Sequence, residues 1–526
     1  MPVSLLAALG VATLLAGLRL TQHALWDDEA YTAIFARNLL HTGTLTAWDG
    51  HNLMVYRNGW TLDPQLIEKE NPPLQFYLAA ASMAVLGETT LAARLPFVLL
   101  GLLALVAVYG WSQQLAEGSD MPASLPVWLL ALNVPFLLNI AQSRYYAPVL
   151  LLMPTLLLCH AACTGPRRAA WFAAGAAAAL ALTLAHYIAG VALGASLLVL
   201  SLAPAPHRRT RIAFAAMVCA LAAAVVAWVL VSRGLRDFWQ HARGQANMVS
   251  HFLILFGREL RDIGLFGLFP VLPAPFLVVP WLVPRIAELR PLARQALAVL
   301  AMMVVALAVT AFASPQDPGP THYADMRYVL EILVMGAFPT AAAIWILARW
   351  AGRAAAAALA AFVLFTNLAY VPSWPPQCVL CDRVGELMRR HPSGTDALLL
   401  AANAVPAGAL TMVLPDYMTL PLMFYRPDLR FANLLDPGHP IDPELRAKLP
   451  AWVYEASTVP DAVLRAITGP PSPGLLAKGV HLSRTAIEPY YWFDETRPEL
   501  PGHRFAPNPE LDAKFGWALY QRDINP

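Results

Sequence analysis

Asn71-Pro72-Pro73-Leu74-Gln75-Phe76-Tyr77-Leu78, followed by a further apolar stretch that ends at Gly87, decides how this chain is threaded. Residues 72–87 are apolar, but a helix needs about 20 residues to cross roughly 30 Å of hydrocarbon. If this segment crosses, everything before it changes sides. We read it as a juxtamembrane or re-entrant helix inside a long first outer loop, residues 23–93.

Around it, about eleven runs are long enough to span: 3–22, 94–113, 122–141, 146–164, 169–186, 188–204, 212–232, 265–284, 293–313, 328–348 and 354–371. Hydrophobic residues make up 58% of the 526 and charged residues 13%, about half the charged share of a soluble domain. A multi-spanning membrane protein is expected. The 36 basic and 34 acidic residues nearly cancel, which leaves no signature of nucleic-acid binding. Basic residues favour cytoplasmic loops, and here they gather at Arg167-Arg168, at 207–211, between Arg285 and Arg294, and at Arg349 with Arg353. That alternation puts loops 233–264 and 314–327, the first outer loop and everything after Tyr370 outside the cytoplasm. The first apolar run lacks a basic start and a small-residue cleavage site, so it reads as a retained span.

Residues 372–526 regain prolines and charges, with β-prone runs at 397–402, 410–414 and 451–454 between turn signals. They read as a soluble C-terminal α/β domain beside a membrane domain of residues 1–371. Cys378 and Cys381 lie on its outer side, where a local disulfide is permitted; a structural role outweighs a metal site, because no second such pair is near. Cys159, Cys163 and Cys219 fall in apolar runs as small hydrophobes.

Charged and aromatic groups collect at the outer face. Trp26-Asp27-Asp28-Glu29-Ala30-Tyr31 places three carboxylates at the membrane edge, and apolar positions Tyr31, Ile34, Phe35 and Leu39 before Gly43 predict an interfacial helix that starts near Asp28. As an N-cap Asp28 would be structural; a carboxylate in that place can also be a base. Lys69-Glu70-Asn71, Gln142-Ser143-Arg144-Tyr145-Tyr146, His186-Tyr187 and residues 323–328 reach the same level. Taken singly, each Arg or Tyr there reads more readily as an interfacial anchor.

Taken in order, Asp28-Glu29-Ala30-Tyr31, Ala36-Arg37-Asn38-Leu39-Leu40, Asn71-Pro72-Pro73-Leu74, Gly87, Ala93-Arg94-Leu95-Pro96, Arg144-Tyr145-Tyr146, His186-Tyr187 and Arg327-Tyr328 resemble the GT-C glycosyltransferases of the dolichyl-phosphate-mannose protein mannosyltransferase and lipid A aminoarabinose transferase superfamily. The resemblance implies an all-α polytopic membrane domain of the GT-C type, juxtamembrane helices in the first outer loop, and a polyprenyl-phosphate-linked sugar donor. It implies Asp28 as the catalytic carboxylate with Glu29 beside it. Two positions depart from the pattern. Asn71 stands where some relatives place a phosphate-binding Lys directly before the prolines, with Lys69 displaced, and Tyr146 stands where others have an Asp.

Such a transfer breaks the bond between the anomeric carbon and a phosphate oxygen, so fixed cations should face the phosphate. Arg144, Arg327 and Lys69 are the candidates. Asp28 would take the proton of an attacking acceptor hydroxyl, and attack opposite the phosphate would invert the anomeric centre. Glu29 or Asp27 would orient the acceptor or tune Asp28. Asn71, Tyr146, His186, Tyr187 and Tyr328 are candidate substrate contacts. No cofactor or metal is called for, although carboxylates can hold a hard cation. The acceptor remains open among lipid A, protein, glycan and lipid, and the expected setting is a bacterial inner membrane with the site on the periplasmic side. No Walker-type glycine loop is present. A transporter or flippase of lipid-linked sugars would carry mid-span charges, of which Glu331 is the main instance. A membrane-anchored assembly protein is the third reading.

Overall fold

In the computed structural model the described residues are 2–18, 20–55, 59, 61–202, 207–232, 248–263, 273–314, 328–365, 380–381, 384, 387–388, 393–432, 435–436, 438–453, 460–466, 482–489 and 516–522. Apart from the stretch between α2 and α3, which carries isolated β-bridges, the described membrane region is mainly helical: α1 (Val3–Gly17), α2 (Asp27–Thr42), α3 (Leu74–Leu86), α4 (Thr90–Leu115), α5 (Ser124–Ala131), α6 (Val134–Ile140), α7 (Tyr146–Ala162), α8 (Arg168–Ala185), α9 (Tyr187–Leu202), α10 (Arg208–Ser232), α11 (Met248–Ile263), α12 (Arg290–Ala313), α13 (Glu331–Ala351) and α14 (Arg353–Phe365).

Among the described residues five helices are long and apolar enough to cross a membrane, those at 90–115, 168–185, 208–231, 284–313 and 332–351. Five more are apolar but shorter: Val3–Gly17, Leu74–Leu86, Tyr146–Ala162, Tyr187–Leu202 and Arg353–Leu364. The deciding segment is one of these. At 13 residues, α3 extends only about 20 Å, which agrees with a helix that does not cross.

The run at 122–141 breaks into α5 and α6. Asn133 has left the helical region, and its side-chain Oδ1 accepts the Phe136 N–H at 2.9 Å, which starts a new helix with Pro135 in its first turn. The expected span at 265–284 is, over its described part, two short turns at Ala274–Val278 and Val279–Leu282. Prolines at 273, 275 and 280 stop a longer helix there.

The bundle closes around α13, of whose span window 83% is buried. Small residues let the helices approach: a Cβ at Gly175 of α8 would collide with the Phe214 ring of α10.

After residue 393 come α15 (Gly394–Ala402), β1 (Leu410–Leu414), α16 (Thr419–Tyr425), β2 (Arg430–Phe431), β3 (Ala462–Ala466), β4 (Leu482–Pro489) and β5 (Gly516–Arg522). The strands form one mixed sheet in the order β2-β1-β3-β5-β4, parallel from β2 to β3 and antiparallel from β3 to β4. The strand expected at 410–414 is β1. The other two β-prone runs are helical: 397–402 lies in α15, and Ala451–Val453 is a single 3-10 turn. The first reversal has a local cause, a capping box in which Ser393 Oγ accepts the Asp396 N–H and Asp396 Oδ2 accepts the Ser393 N–H. Cys381 is disulfide-bonded, and Cys378 lies outside the described residues.

The C-terminal segment is tied to the segment 23–93. Asp396 accepts from His23 Nδ1 at 2.8 Å and from the Ala24 N–H at 2.9 Å. Tyr425 Oη accepts from the Leu25 N–H at 2.8 Å, and Arg37 of α2 donates to the Met423 and Phe424 carbonyls. Asn52 clamps β2 from both sides, donating to the Leu429 carbonyl and accepting the Phe431 N–H. The sheet therefore sits on the loop that carries the acidic cluster.

Candidate active site

The predicted helix at the acidic cluster is α2, and Gly43 stops it in the left-handed region at φ 75°. Its N-cap is Trp26, not Asp28. Asp27, Asp28 and Glu29 fill the first turn, where their charge complements the positive helix end.

Adjacent positions on this turn point to different environments. Glu29 is fully buried and forms a two-pronged ion pair with Arg94 of α4, Nε to Oε1 at 2.8 Å and Nη2 to Oε2 at 2.6 Å. Oε1 also accepts the Ser143 N–H at 2.9 Å. The remaining donors of Arg94, itself fully buried, cap the carbonyls of His23 at 2.8 Å and Ala24 at 3.0 Å. Glu29 thus braces α2, α4 and the 141–145 turn together. Arg94, which entered the sequence reading only as part of a motif, is the centre of that brace.

Asp28 faces the other way, its side chain 29% exposed, with Oδ1 3.5 Å from Arg144 Nη2. The Arg144 side chain is 8% exposed, and its guanidinium is held between aromatic faces, 5.4 Å from the Tyr145 ring centroid and 6.0 Å from that of Tyr31. Gln75, from the motif that opens α3, sets the same turn: its Oε1 accepts the Tyr145 N–H at 3.2 Å.

Beneath Tyr31 lies a group that sequence reading passed over. Glu68 is buried, and Tyr31 donates a short hydrogen bond to its Oε2. Its Oε1 accepts from the Glu70 and Asn71 N–H groups at 2.9 and 2.7 Å and from Asn71 Nδ2 at 3.2 Å. Burial pushes the Glu68 carboxyl up from its ordinary value, against the opposing pull of these hydrogen bonds. Burial and then the Glu68 charge push the Tyr31 phenol well up. Asn71 therefore works first as a partner of Glu68. A signal was present in the order Glu68-Lys69-Glu70-Asn71-Pro72, an acid four residues before the paired prolines.

A carboxyl raised on folding stabilises the protein at pH below its unfolded value of 4.5, and that contribution fades as pH rises through the higher folded value. Thermal unfolding of the purified protein between about pH 5 and about pH 8 is expected to show a midpoint that falls with pH, less steeply in Glu68→Gln.

His186 caps α9, its Nδ1 accepting the Ala189 N–H at 3.0 Å, and its ring lies 4.8 Å from that of Tyr145. Nε2 is thereby left as the proton-bearing nitrogen of the neutral ring. Tyr146 is fully buried and packs edge-on against Tyr145, while Tyr187 is buried with Val229. Lys69 is half-buried, and its charge adds to burial in holding His439 below its ordinary value, so it lies towards the C-terminal segment. Tyr328 is half-buried at the approach to α13. Arg327 lies outside the described residues. No group of three or more His, Cys, Asp or Glu able to hold a metal occurs among the described residues.

The C-terminal segment reaches this face as well. Burial, and then the charges of Asp27 and Asp416, push the Tyr417 phenol up, which puts the Asp416–Met418 turn beside the start of α2.

Residues 70–230 match the family described as dolichyl-phosphate-mannose-protein mannosyltransferase. The matched stretch holds Asn71, Arg94, Arg144, Tyr146, His186 and Tyr187, bearing out the resemblance read from them; Asp28 precedes it. Solved structures are similar as well, two oligosaccharyltransferases among them. The archaeal oligosaccharyltransferase AglB from Archaeoglobus fulgidus, in complex with an inhibitory peptide and a dolichol-phosphate, has 10% identity and a TM-score of 0.48 over 88% of this chain and 69% of that one. The Archaeoglobus fulgidus oligosaccharyltransferase tethered to an acceptor peptide with the NVT sequon has 11% identity and a TM-score of 0.44 over 81% and 63%. No curated protein sequence matches. With its apolar helices, the chain is a membrane protein whose 70–230 segment matches that mannosyltransferase family.

Proposed function

We propose that the protein transfers a sugar from a polyprenyl-phosphate-linked donor to an acceptor hydroxyl on the outer face of a bacterial inner membrane, with inversion at the anomeric carbon. The observation that carries this reading is the pairing of a part-exposed carboxylate, Asp28, with a preset guanidinium, Arg144, 3.5 Å away, at one end of a bundle that contains the family match. Asp28 takes the acceptor proton as the hydroxyl attacks. Arg144, with Arg327 and Lys69, faces the phosphate, whose charge grows as the glycosidic bond breaks; a cation held in place beforehand pays no reorganisation cost at that moment. Glu29 acts on Asp28 through the helix turn it anchors. His186, Tyr146, Tyr187, Tyr328 and Asn71 complete the site, which belongs to a domain of about eleven spans.

The Asp416–Met418 turn lies beside the start of α2, and the C-terminal segment, residues 372–526, is proposed to read the acceptor. Its deletion would also strip hydrogen bonds from the first outer loop, so a point change is the better test. Tyr417→Ala is expected to raise KM for the acceptor several-fold and leave donor KM unchanged. Equal effects on both would withdraw acceptor reading from that turn.

The whole proposal is tested by mass spectrometry of lipid extracts from cells lacking the protein and cells with it restored. Build-up of one glycosylated polyprenyl phosphate, relieved on restoration together with the appearance of a glycosylated acceptor, is expected. Relief without a glycosylated product would instead favour a transporter of lipid-linked sugars.

A further inference from the structure

The end of the bundle opposite Asp28 carries a cavity of about 470 Å³, where the ends of α4, α7 and α9 meet the starts of α10 and α12. From Tyr146 at the start of α7 to His160 is about 21 Å along the helix axis, so this cavity and the Asp28 site are at different membrane levels. Its floor is apolar, formed by Trp111, Leu157, Val299 and Met302, each no more than 3% exposed. Its wall holds Arg211 of α10.

Two observations bear on what it takes. The Arg211 Nε atom is buried and has no hydrogen-bond partner among the described residues, and a buried donor left unmatched costs about 1–3 kcal/mol. The other ionisable wall group, His160, is already matched, its Nε2 2.9 Å from Ser201 Oγ. Glu117, the acid of the lining, is exposed at the rim, and Arg208 and Arg209 flank Arg211 on the same turn. A cation over a dry apolar floor, in a volume within the usual range of about 300–1,000 Å³ for ligand pockets, matches an amphiphile with an anionic head.

We infer that this cavity binds an anionic membrane lipid, with a phosphate oxygen on the Arg211 guanidinium and one acyl chain along Trp111, Leu157, Val299 and Met302. Guanidinium forks suit phosphate oxygens, and basic pockets between helices are a recurrent way of holding acidic headgroups. The inference is independent of the chemistry proposed at Asp28.

The test is native mass spectrometry of the purified full-length protein, delipidated and then offered phosphatidylglycerol or phosphatidylcholine at equal concentration. Retained phosphatidylglycerol is expected to exceed phosphatidylcholine and to fall about tenfold (about 1.4 kcal/mol) in Arg211→Gln, but not in Arg209→Gln, whose side chain is exposed. Ala298→Trp, which fills the cavity without touching the charge, is expected to remove the same adduct. Equal losses in Arg211→Gln and Arg209→Gln, or no preference between the lipids, would mean diffuse surface attraction and overturn the site. Inorganic phosphate that competes with the lipid in wild type and still binds Ala298→Trp would overturn the lipid assignment in favour of a free-anion site.

Discussion

Asp28→Asn is expected to lower sugar transfer by about 10²–10⁴-fold, the usual worth of a positioned general base, while the protein still folds and inserts. The reason is local. Asn keeps the shape of the side chain but cannot take a proton, and Asp28 lies on the exposed side of the first turn of α2, where its loss leaves the Glu29–Arg94 brace intact. The change should appear mainly in kcat, with the donor KM moving little, because Arg144 and not Asp28 is assigned to the phosphate. Cells carrying the variant should accumulate the same glycosylated polyprenyl phosphate as cells without the protein. Full relief by Asp28→Asn at matched expression would remove this residue from the mechanism.

Arg94→Ala is expected to abolish activity by a different route, loss of the fold around the site. Its guanidinium and the Glu29 carboxylate are both fully buried, and breaking such a pair by removing one partner costs about 3–5 kcal/mol because the other charge is stranded. Here three backbone elements depend on it: the carbonyls of His23 and Ala24, the start of α2, and the Ser143 N–H. Size-exclusion profiles and thermal unfolding in detergent should show a destabilised or aggregated protein. Replacing both partners, Glu29→Gln with Arg94→Met, should recover part of the stability without recovering the activity. If Arg94→Ala were monodisperse, with an unchanged unfolding midpoint, the brace would not carry the weight assigned to it.

Some of this was legible from residues alone. Composition set the membrane class. The helix from the acidic cluster to Gly43 followed from its apolar spacing and its stop, and the apolar 72–87 stretch is a short helix, α3, of 13 residues. The run at 397–402 was misread because its apolar residues suit a strand or a helix equally. What separated the two was the Ser393–Asp396 capping box, a local signal four residues wide. The break between α5 and α6 was likewise foreshadowed by Asn133 and Pro135, in a stretch whose hydropathy alone reads as continuous.

The sequence by itself indicated that Asp28, Asn71, Arg144 and His186 lie at one end of the bundle, because hydrophobic length and charge placement along a chain are one-dimensional quantities. Only the tertiary structure decided what each group does there. Asp28 and Glu29 are neighbours in sequence but about 100° apart around a helix, so one carboxylate turns to the open side and Arg144 while the other is sealed against Arg94. Glu68 acquired its part in the same way: burial raises its carboxyl, and the Tyr31 hydroxyl that donates to it lies 37 residues earlier in the chain. Burial and partner choice are properties of three-dimensional packing, and no spacing rule along the chain supplies them.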